Sequence, residues 1–166
     1  SPKDAFDLHI GMIHQHFKLV DVFTAAENII LGLPGDKGKM DKNAVAKAVR
    51  EIADRYGFDI DPNQKIYEMS VSQKQTVEIV KVLYRGADIL ILDEPTAVLT
   101  PQETEKLFTV MRNMKKDGKA IIIITHKLHE VLAVSDRVAV LRKGEYIGDT
   151  DTATASQQSL TDMMVG

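Results

Sequence analysis

The sequence contains no cysteine, so neither a disulfide framework nor a thiolate metal site is open to it, and a reducing compartment is permitted. It has no excess of basic residues. The formal net charge is -3, which removes the broad positive field that draws proteins onto nucleic acid or anionic lipid. Any membrane contact must then run through a protein partner. No apolar run approaches the roughly 20 residues needed to cross a bilayer. Proline is scarce, at five residues, and the 44% hydrophobic and 27% charged content is that of a folded globular chain. The length, 166 residues, suits one domain that buries a core unaided. The sequence begins at Ser1 and no apolar signal segment follows, so it reads as an excised part of a longer chain. No internal repeat is visible.

What is present organises into two kinds of segment. Residues 8–13 are apolar apart from His9 and end in His14, Gln15 and His16, the pattern of a short strand delivering polar side chains to its end. In residues 22–33, Val22, Phe23, Ala26, Ile29, Ile30 and Leu33 recur at three and four, which predicts an amphipathic helix ended by Gly32, Pro34 and Gly35. A second helix is predicted over 43–56, with Val45, Val49, Ile52 and Tyr56 inward and Gly57 as its stop. A third is predicted from near Ser72 to Arg85, with Val77, Val80 and Leu83 or Tyr84 inward, Lys74 and Glu78 paired one turn apart, and Gly86 beyond its end. These helices form one block.

After Gly86 short β-rich runs alternate with helices, which predicts a parallel sheet. Residues 89–92 and 120–124 are unbroken apolar runs, as in central strands buried on both faces. Between them Thr100, Pro101 and Glu103 form a helix start with cap, first-turn proline and capping-box acid, and Gly118 sits where that helix should finish. Residues 137–141 and 145–147 flank Lys143 and Gly144 as a hairpin. Residues 151–158 are small and polar, the composition of a loose connector before a short apolar tail at Leu160, Met163 and Met164.

Three places carry candidate chemistry. The strand 89–92 runs directly into Asp93 and Glu94, and ligands in open α/β sheets bind at the carboxyl ends of strands. One carboxylate there can hold Mg²⁺ while the next polarises a water for in-line attack on a phosphoryl group. Two acids after a strand are equally a solvated strand end. His126 follows the strand 120–124 and Thr125, where it can hydrogen-bond a terminal phosphate or simply start a helix. The run Ser70, Val71, Ser72, Gln73, Lys74, Gln75 opens a helix. Ser70 and Gln73 have capping-box spacing and need no ligand, yet a helix start with free amides and hydroxyls is also a phosphate seat. His9, His14 and His16 alternate along one short strand with no paired acid, which argues against a metal site.

Taken in order, Gln15, the helix start at 70–75, Asp93 with Glu94, and His126 closely resemble the Q-loop, signature, Walker B and switch histidine of ABC-family ATPases. Residues 11–32, residues 77–103 with Leu83, Tyr84, Arg85 and Gly86, and the terminal Met164, Val165 and Gly166 are similar to the first ATPase half of the tandem proteins that serve simple-sugar and nucleoside importers. The resemblance implies an α/β fold: a partial P-loop NTPase (RecA-like) core with a mostly parallel sheet, an inserted helical subdomain and a C-terminal β-hairpin. It implies a single domain, with residues 1–21 and 87–150 as core, 22–86 as the helical subdomain that touches the permease, and 151–166 as connector and tail. The cofactors implied are ATP and Mg²⁺. Glu94 would be the general base, His126 the sensor of the γ-phosphate, and Asp93 the Mg²⁺ ligand. Gln15 would serve both catalysis and the metal and link the site to the transmembrane subunits. Ser70, Ser72, Gln73 and Gln75 would bind nucleotide. The implied partners are a second ATPase half, transmembrane permease subunits and, indirectly, an extracytoplasmic solute-binding protein, with no nucleic acid. The implied location is the cytoplasmic face of the cell membrane.

The sequence departs from the family pattern in three ways. A phosphate loop needs Gly, four residues, Gly, Lys, then Ser or Thr. The Gly38–Lys39 and Gly118–Lys119 pairs are followed by Met40 and Ala120 and lack the upstream glycine. In the family that loop, its strand and its helix precede the Gln15 region, so they would lie before Ser1, and these residues alone should bind ATP poorly. The signature has Met69 for leucine, Ser72 for the second glycine and Thr76 for arginine, and a Cβ at Ser72 limits backbone approach to a phosphate. Residues 97–100 lack the aspartate found in many relatives. ABC sites are composite, so this signature would face the opposite half's phosphate loop, and the two sites would be unequal, with the one using Glu94 hydrolytic. The alternatives are a non-transport ABC ATPase, against which stands the absence of coiled-coil insertions and basic surfaces, and a non-enzymatic permease-docking module.

Overall fold

A computed structural model describes residues 1–33 and 41–166. The chain divides into two compact units, Ser1–Ile124 and Thr125–Gly166. In the first, helix α1 (Pro2–Asp7) leads into strand β1 (Ile10–Ile13), followed by helices α2 (Ala25–Ile30), α3 (Lys42–Tyr56) and α4 (Val71–Tyr84), strand β2 (Ile89–Asp93), helix α5 (Pro101–Lys116) and strand β3 (Ala120–Ile124). The three strands form one parallel sheet in the order β1-β2-β3.

The helical block is held by one apolar cluster. Ala25 and Ile29 of α2, Val45 and Val49 of α3, Ile66 and Met69 beside a single 3-10 turn, and Val77 and Val80 of α4 meet there, with Ile52 and Tyr84 packed around them. Gly57 ends α3 in the left-handed conformation at φ 85°, which only glycine adopts without cost. Helix α2 begins three residues later than the apolar period suggests. Thr24 accepts from the Glu27 amide at 3.1 Å and Glu27 reaches back to the Thr24 amide, while Thr24 bridges Lys65. That box and bridge start the helix only after Thr24, while Val22 lies in a turn closed by the Phe23 amide on the Val20 carbonyl at 3.1 Å and is exposed. Leu31 leaves the helix at ψ 126°. The predicted stops at Pro34 and Gly35, and the Gly38–Lys39 pair with Met40, lie outside the described residues.

The sheet and the helices meet closely. Gly11 of β1 has no Cβ because one would lie 2.7 Å from Val82 Cβ of α4. On that side of the sheet Ile13, Leu90 and Leu92 are buried, along with Leu107, Phe108, Met111 and Met114 of α5. The opposite face is different. Met12, Ile91 and Ile122 share one register row, and Asp93 and Ile124 the next. Ile122 is 51% and Ile124 47% exposed. The expectation that 89–92 and 120–124 are central strands buried on both faces is therefore corrected. Strand β2 is central, but β3 lies at the end of the three-stranded order, and among the described residues its outer isoleucines are left open.

Helix α3 is also tied to α5 by polar contacts. The Tyr56 hydroxyl and the Arg55 guanidinium both donate to the Asp117 carboxylate, and Asn113 donates to the Tyr56 carbonyl at 2.8 Å. The Tyr56 hydrogen bond, and then Arg55, hold Asp117 below the ordinary carboxylate range. Burial, then the Asp117 bond, push the Tyr56 phenol up to about 12.

The second unit contains helix α6 (Leu128–Val134), strands β4 (Arg137–Arg142) and β5 (Glu145–Asp151), and helix α7 (Gln157–Val165). Lys143 and Gly144, both at positive φ, make the two-residue turn that suits strand twist. Val138, Val140 and Leu160 form its core, with Leu128, Val131, Leu132, Ile147 and Met163 around them. The connector expected to be loose is ordered: a 3-10 turn at Thr152–Thr154 leads to Ser156, which caps α7 by a reciprocal pair with Ser159 at 2.9 and 3.0 Å. The apolar tail is thus a helix anchored by Leu160.

Two outcomes follow from this packing. Leu160→Ala removes the fully buried anchor of α7 and should destabilise the second unit by about 3 kcal/mol, read as a lower urea midpoint with early amide exchange of α7. In an ultraviolet titration Tyr56 should ionise last, near 12 against an ordinary 10. A phenol whose pKa is raised by folding stabilises fully below pH 10 and loses that contribution as pH rises towards 12. Tyr56→Phe should delete this late component.

Candidate functional site

The carboxyl edge of the parallel sheet gathers the acids and the glutamine. Ile13 pairs with Leu92 and Asp93 with Ile124, so the chain beyond β1, carrying Gln15, and the end of β2, carrying Asp93, emerge at one edge. Gln15 is exposed, and Asp93 and Glu94 are half-buried. At Glu94 the chain turns sharply with φ at 47°, a left-handed conformation unusual for a residue with a long side chain. The Glu94 amide donates to the Ile124 carbonyl at 2.8 Å, and its carbonyl accepts from the Ala97 amide at 3.3 Å. Pro95 and Thr96 behind it are buried. The turn thus ends the β2 ladder and redirects the Glu94 side chain within one residue of Asp93.

A loop organised by Asn28 follows Gln15. This buried amide accepts from the Val20 amide at 2.7 Å and donates to the Val20 and Thr24 carbonyls at 3.1 and 3.0 Å. All its contacts are local to residues 20–28, so α2 anchors the segment that leaves β1. Arg85 adds a second tie, donating to the Ile29 and Leu31 carbonyls at the end of α2. Burial lowers the pKa of Arg85 and of Lys81, while Glu78, buried on the same helix, raises both. Glu78, expected to pair with Lys74 one turn away, is buried, with one carboxylate oxygen that finds no hydrogen-bond donor.

At the start of α4 the side chains are turned to structural work. Ser70 accepts from the Gln73 amide at 3.2 Å and the Gln73 side chain accepts from the Ser70 amide at 2.9 Å. Thr76 donates to the Ser72 carbonyl at 3.1 Å. Gln75 points inward and donates to the Pro95 carbonyl at 2.6 Å. Glu103, at the start of α5, is held below the ordinary carboxylate range first by the Thr100 amide, then by the Thr100 hydroxyl, with the Ser72 hydroxyl also contributing. The amides of Val71 and Ser72 precede the helix's own ladder and face its open end.

His126 lies in the second unit and is exposed. The neighbouring Thr125 hydroxyl accepts from the Lys127 amide at 3.1 Å. Among the described residues no three His, Asp or Glu side chains gather as a metal site. A lone carboxylate at a strand end fits Mg²⁺, which is held by one or two carboxylates together with phosphate oxygens. Gln75, expected to bind nucleotide, is instead buried with its amide on the Pro95 carbonyl, and Asn28 and the tie made by Arg85 were not singled out from sequence. Asn28 alone had a signal, a polar residue inside an apolar stripe.

A family model described as ABC transporter matches residues 2–97. The chain is 52% identical to the nucleoside import ATP-binding protein NupA of Lactococcus lactis subsp. cremoris, with 100% of this chain and 33% of that protein covered. It is 46% identical to the glucose import ATP-binding protein TsgD13 of Haloferax volcanii, covering 100% of this chain and 36% of that protein. It is 42% identical to the ribose import ATP-binding protein RbsA 1 of Burkholderia thailandensis, covering 98% and 33%. The chain spans about a third of the length of these curated relatives. A solved nucleotide-free ATP-binding cassette from an ABC transporter aligns with a TM-score of 0.78 at 20% identity, covering 98% of this chain and 67% of that one. CbiO1 from Clostridium perfringens, part of the ABC transporter complex cbiONQ, aligns with a TM-score of 0.75 at 24% identity, covering 98% and 66%. These structures share the fold, an α/β cassette with a parallel sheet. With the family model matching more than half of its residues, the chain belongs to the ABC transporter family.

Proposed function

We propose that these residues are the hydrolytic share of the first ATPase half of a tandem importer ATPase, one that drives uptake of simple sugars or nucleosides. The observation that carries this is the Asp93–Glu94 edge, with Glu94 turned out of the strand at φ 47° and fixed to the Ile124 carbonyl. The import relatives, named for nucleoside, glucose and ribose, support the solute class.

In this role the Glu94 carboxylate accepts a proton from the attacking water, and its fixed backbone sets where that water sits. Asp93, one residue earlier, would hold Mg²⁺, and the ion would supply positive charge to offset that developing on the phosphoryl oxygens. Gln15 reaches the same edge from β1 and carries the state of the site to the loop fixed by Asn28. His126, which follows the strand 120–124 in sequence, is the candidate sensor of a terminal phosphate by its place in the motif order alone. The start of α4, with Ser70, Ser72 and Gln73, faces the phosphate loop of the second ATPase half. The helical block touches the transmembrane permease subunits at the cytoplasmic face of the membrane, and an extracytoplasmic solute-binding protein acts through them. Among the described residues no helix is long and apolar enough to cross a membrane, in keeping with a peripheral role. The uncovered isoleucines of β3 fit a sheet continued by a further strand and helix bearing the missing phosphate loop, with the whole forming one ATPase domain.

In the full-length ATPase that carries this segment, Glu94→Gln should lower ATP turnover about 10²–10⁴-fold while ATP still binds. Intact turnover would show that the hydrolytic site is elsewhere. A second possibility is favoured by one observation: no segment of the sequence has the phosphate-loop pattern, so residues 1–166 alone serve as a docking module. Titration of these residues with Mg-ATP should give no binding, and measurable Mg-dependent binding overturns that expectation.

A further inference from the structure

We propose that Gln75 is a positioning residue for Glu94, fixing the acid through the Pro95 carbonyl. The proposal rests on Glu94 being the general base. Gln75 is only 7% exposed, and its side-chain amide lies 2.6 Å from a carbonyl 20 residues along the chain. A buried carbonyl needs a donor. Pro95 sits in an irregular turn after the β2 ladder has ended, where no neighbouring strand continues to supply one. Gln75 supplies it from the first turns of α4.

The bond matters because of what lies on either side of it. Glu94 holds a left-handed conformation, φ 47°, which a residue with a side chain keeps only when its surroundings over-determine it. One constraint is the Glu94 amide on the Ile124 carbonyl at 2.8 Å. The Ala97 amide on the Glu94 carbonyl at 3.3 Å is a second, and the Gln75 bond to the next carbonyl adds another from outside the turn. Between them the peptide that bears Glu94 is fixed at both ends, by β3 and by α4. Without the Gln75 donor the Pro95 carbonyl rotates to find another partner. Glu94 then relaxes toward the extended region, and its carboxylate swings off the line of attack.

Shape and hydrogen bonding can be separated by two near-isosteric variants in the full-length ATPase. Gln75→Met keeps the volume and removes the donor. It should lower kcat by about 10- to 100-fold, the size of effect that a misplacement near 1 Å produces, and leave KM for ATP within about twofold. In a Glu94→Gln background the same substitution should cost less than about threefold, because a residue that acts only through Glu94 has nothing left to position. If Gln75→Met does not yield folded protein, Gln75→Glu, of the same shape with an acceptor in place of the donor, gives the same readouts. A kcat within twofold of wild type, or an equal loss in both backgrounds, overturns the proposal. Its failure is distinct from failure of the site itself. If Glu94→Gln leaves turnover intact, the hydrolytic assignment falls. If Glu94→Gln abolishes turnover while Gln75→Met is silent, only the positioning role falls.

Discussion

The parallel register of β1, β2 and β3 is the constraint from which the rest follows. With Ile13 beside Leu92 and Asp93 beside Ile124, all three strands end at one edge. The side chains that leave them are brought together whatever their distance in sequence. Parallel pairing also requires a crossover between strands, and here the two crossovers perform different tasks. That between β1 and β2 contains the helical block 25–84, and that between β2 and β3 contains α5 alone.

Close packing of those crossovers on one face then fixes the edge in space. Gly11 lets α4 approach β1 within the reach of Val82, and α5, whose Leu107, Phe108 and Met111 are buried, packs against β3. The Tyr56, Arg55 and Asp117 contacts join α3 to α5, so the two crossovers support one another. On the other face Ile122 and Ile124 of β3 remain open among the described residues. An apolar surface of that kind in a stable protein calls for a cover.

Much of this was legible in the sequence where the signal is local. The start of α5 could be placed from Thr100, Pro101 and Glu103 because a capping box involves only four residues, and the αL stop at Gly57 needs only one. The start of α2 was misplaced because Val22 and Phe23 continue an apolar period that the Thr24–Glu27 box interrupts. Helix α7 was missed since its cap uses Ser159 where a Glu or Gln is the usual sign, and its hold on the unit rests on Leu160. Which face of an apolar strand is covered cannot be read from an unbroken run, so the open side of β3 was invisible. At the site, Asp93 and Glu94 were found because they end a strand. The left-handed turn and the Gln75–Pro95 bond depend on contacts across 20 or more residues, and no local pattern carries them.

The departures at the start of α4 also take on a different meaning. Ser72 and Thr76 replace a glycine and an arginine of the family pattern, and their hydroxyls are drawn inward: Thr76 to the Ser72 carbonyl, and Ser72 towards Glu103 of α5. Ser70 and Gln73 satisfy one another, and Gln75 is committed to Pro95. Five polar side chains at this helix start are therefore occupied within the protein. What remains directed outward is backbone, the amides of Val71 and Ser72, with the helix dipole behind them. In the proposed function, then, α4 contributes to a phosphate site through its backbone, and its side chains serve to make that start rigid and to bind it to the loop of Glu94.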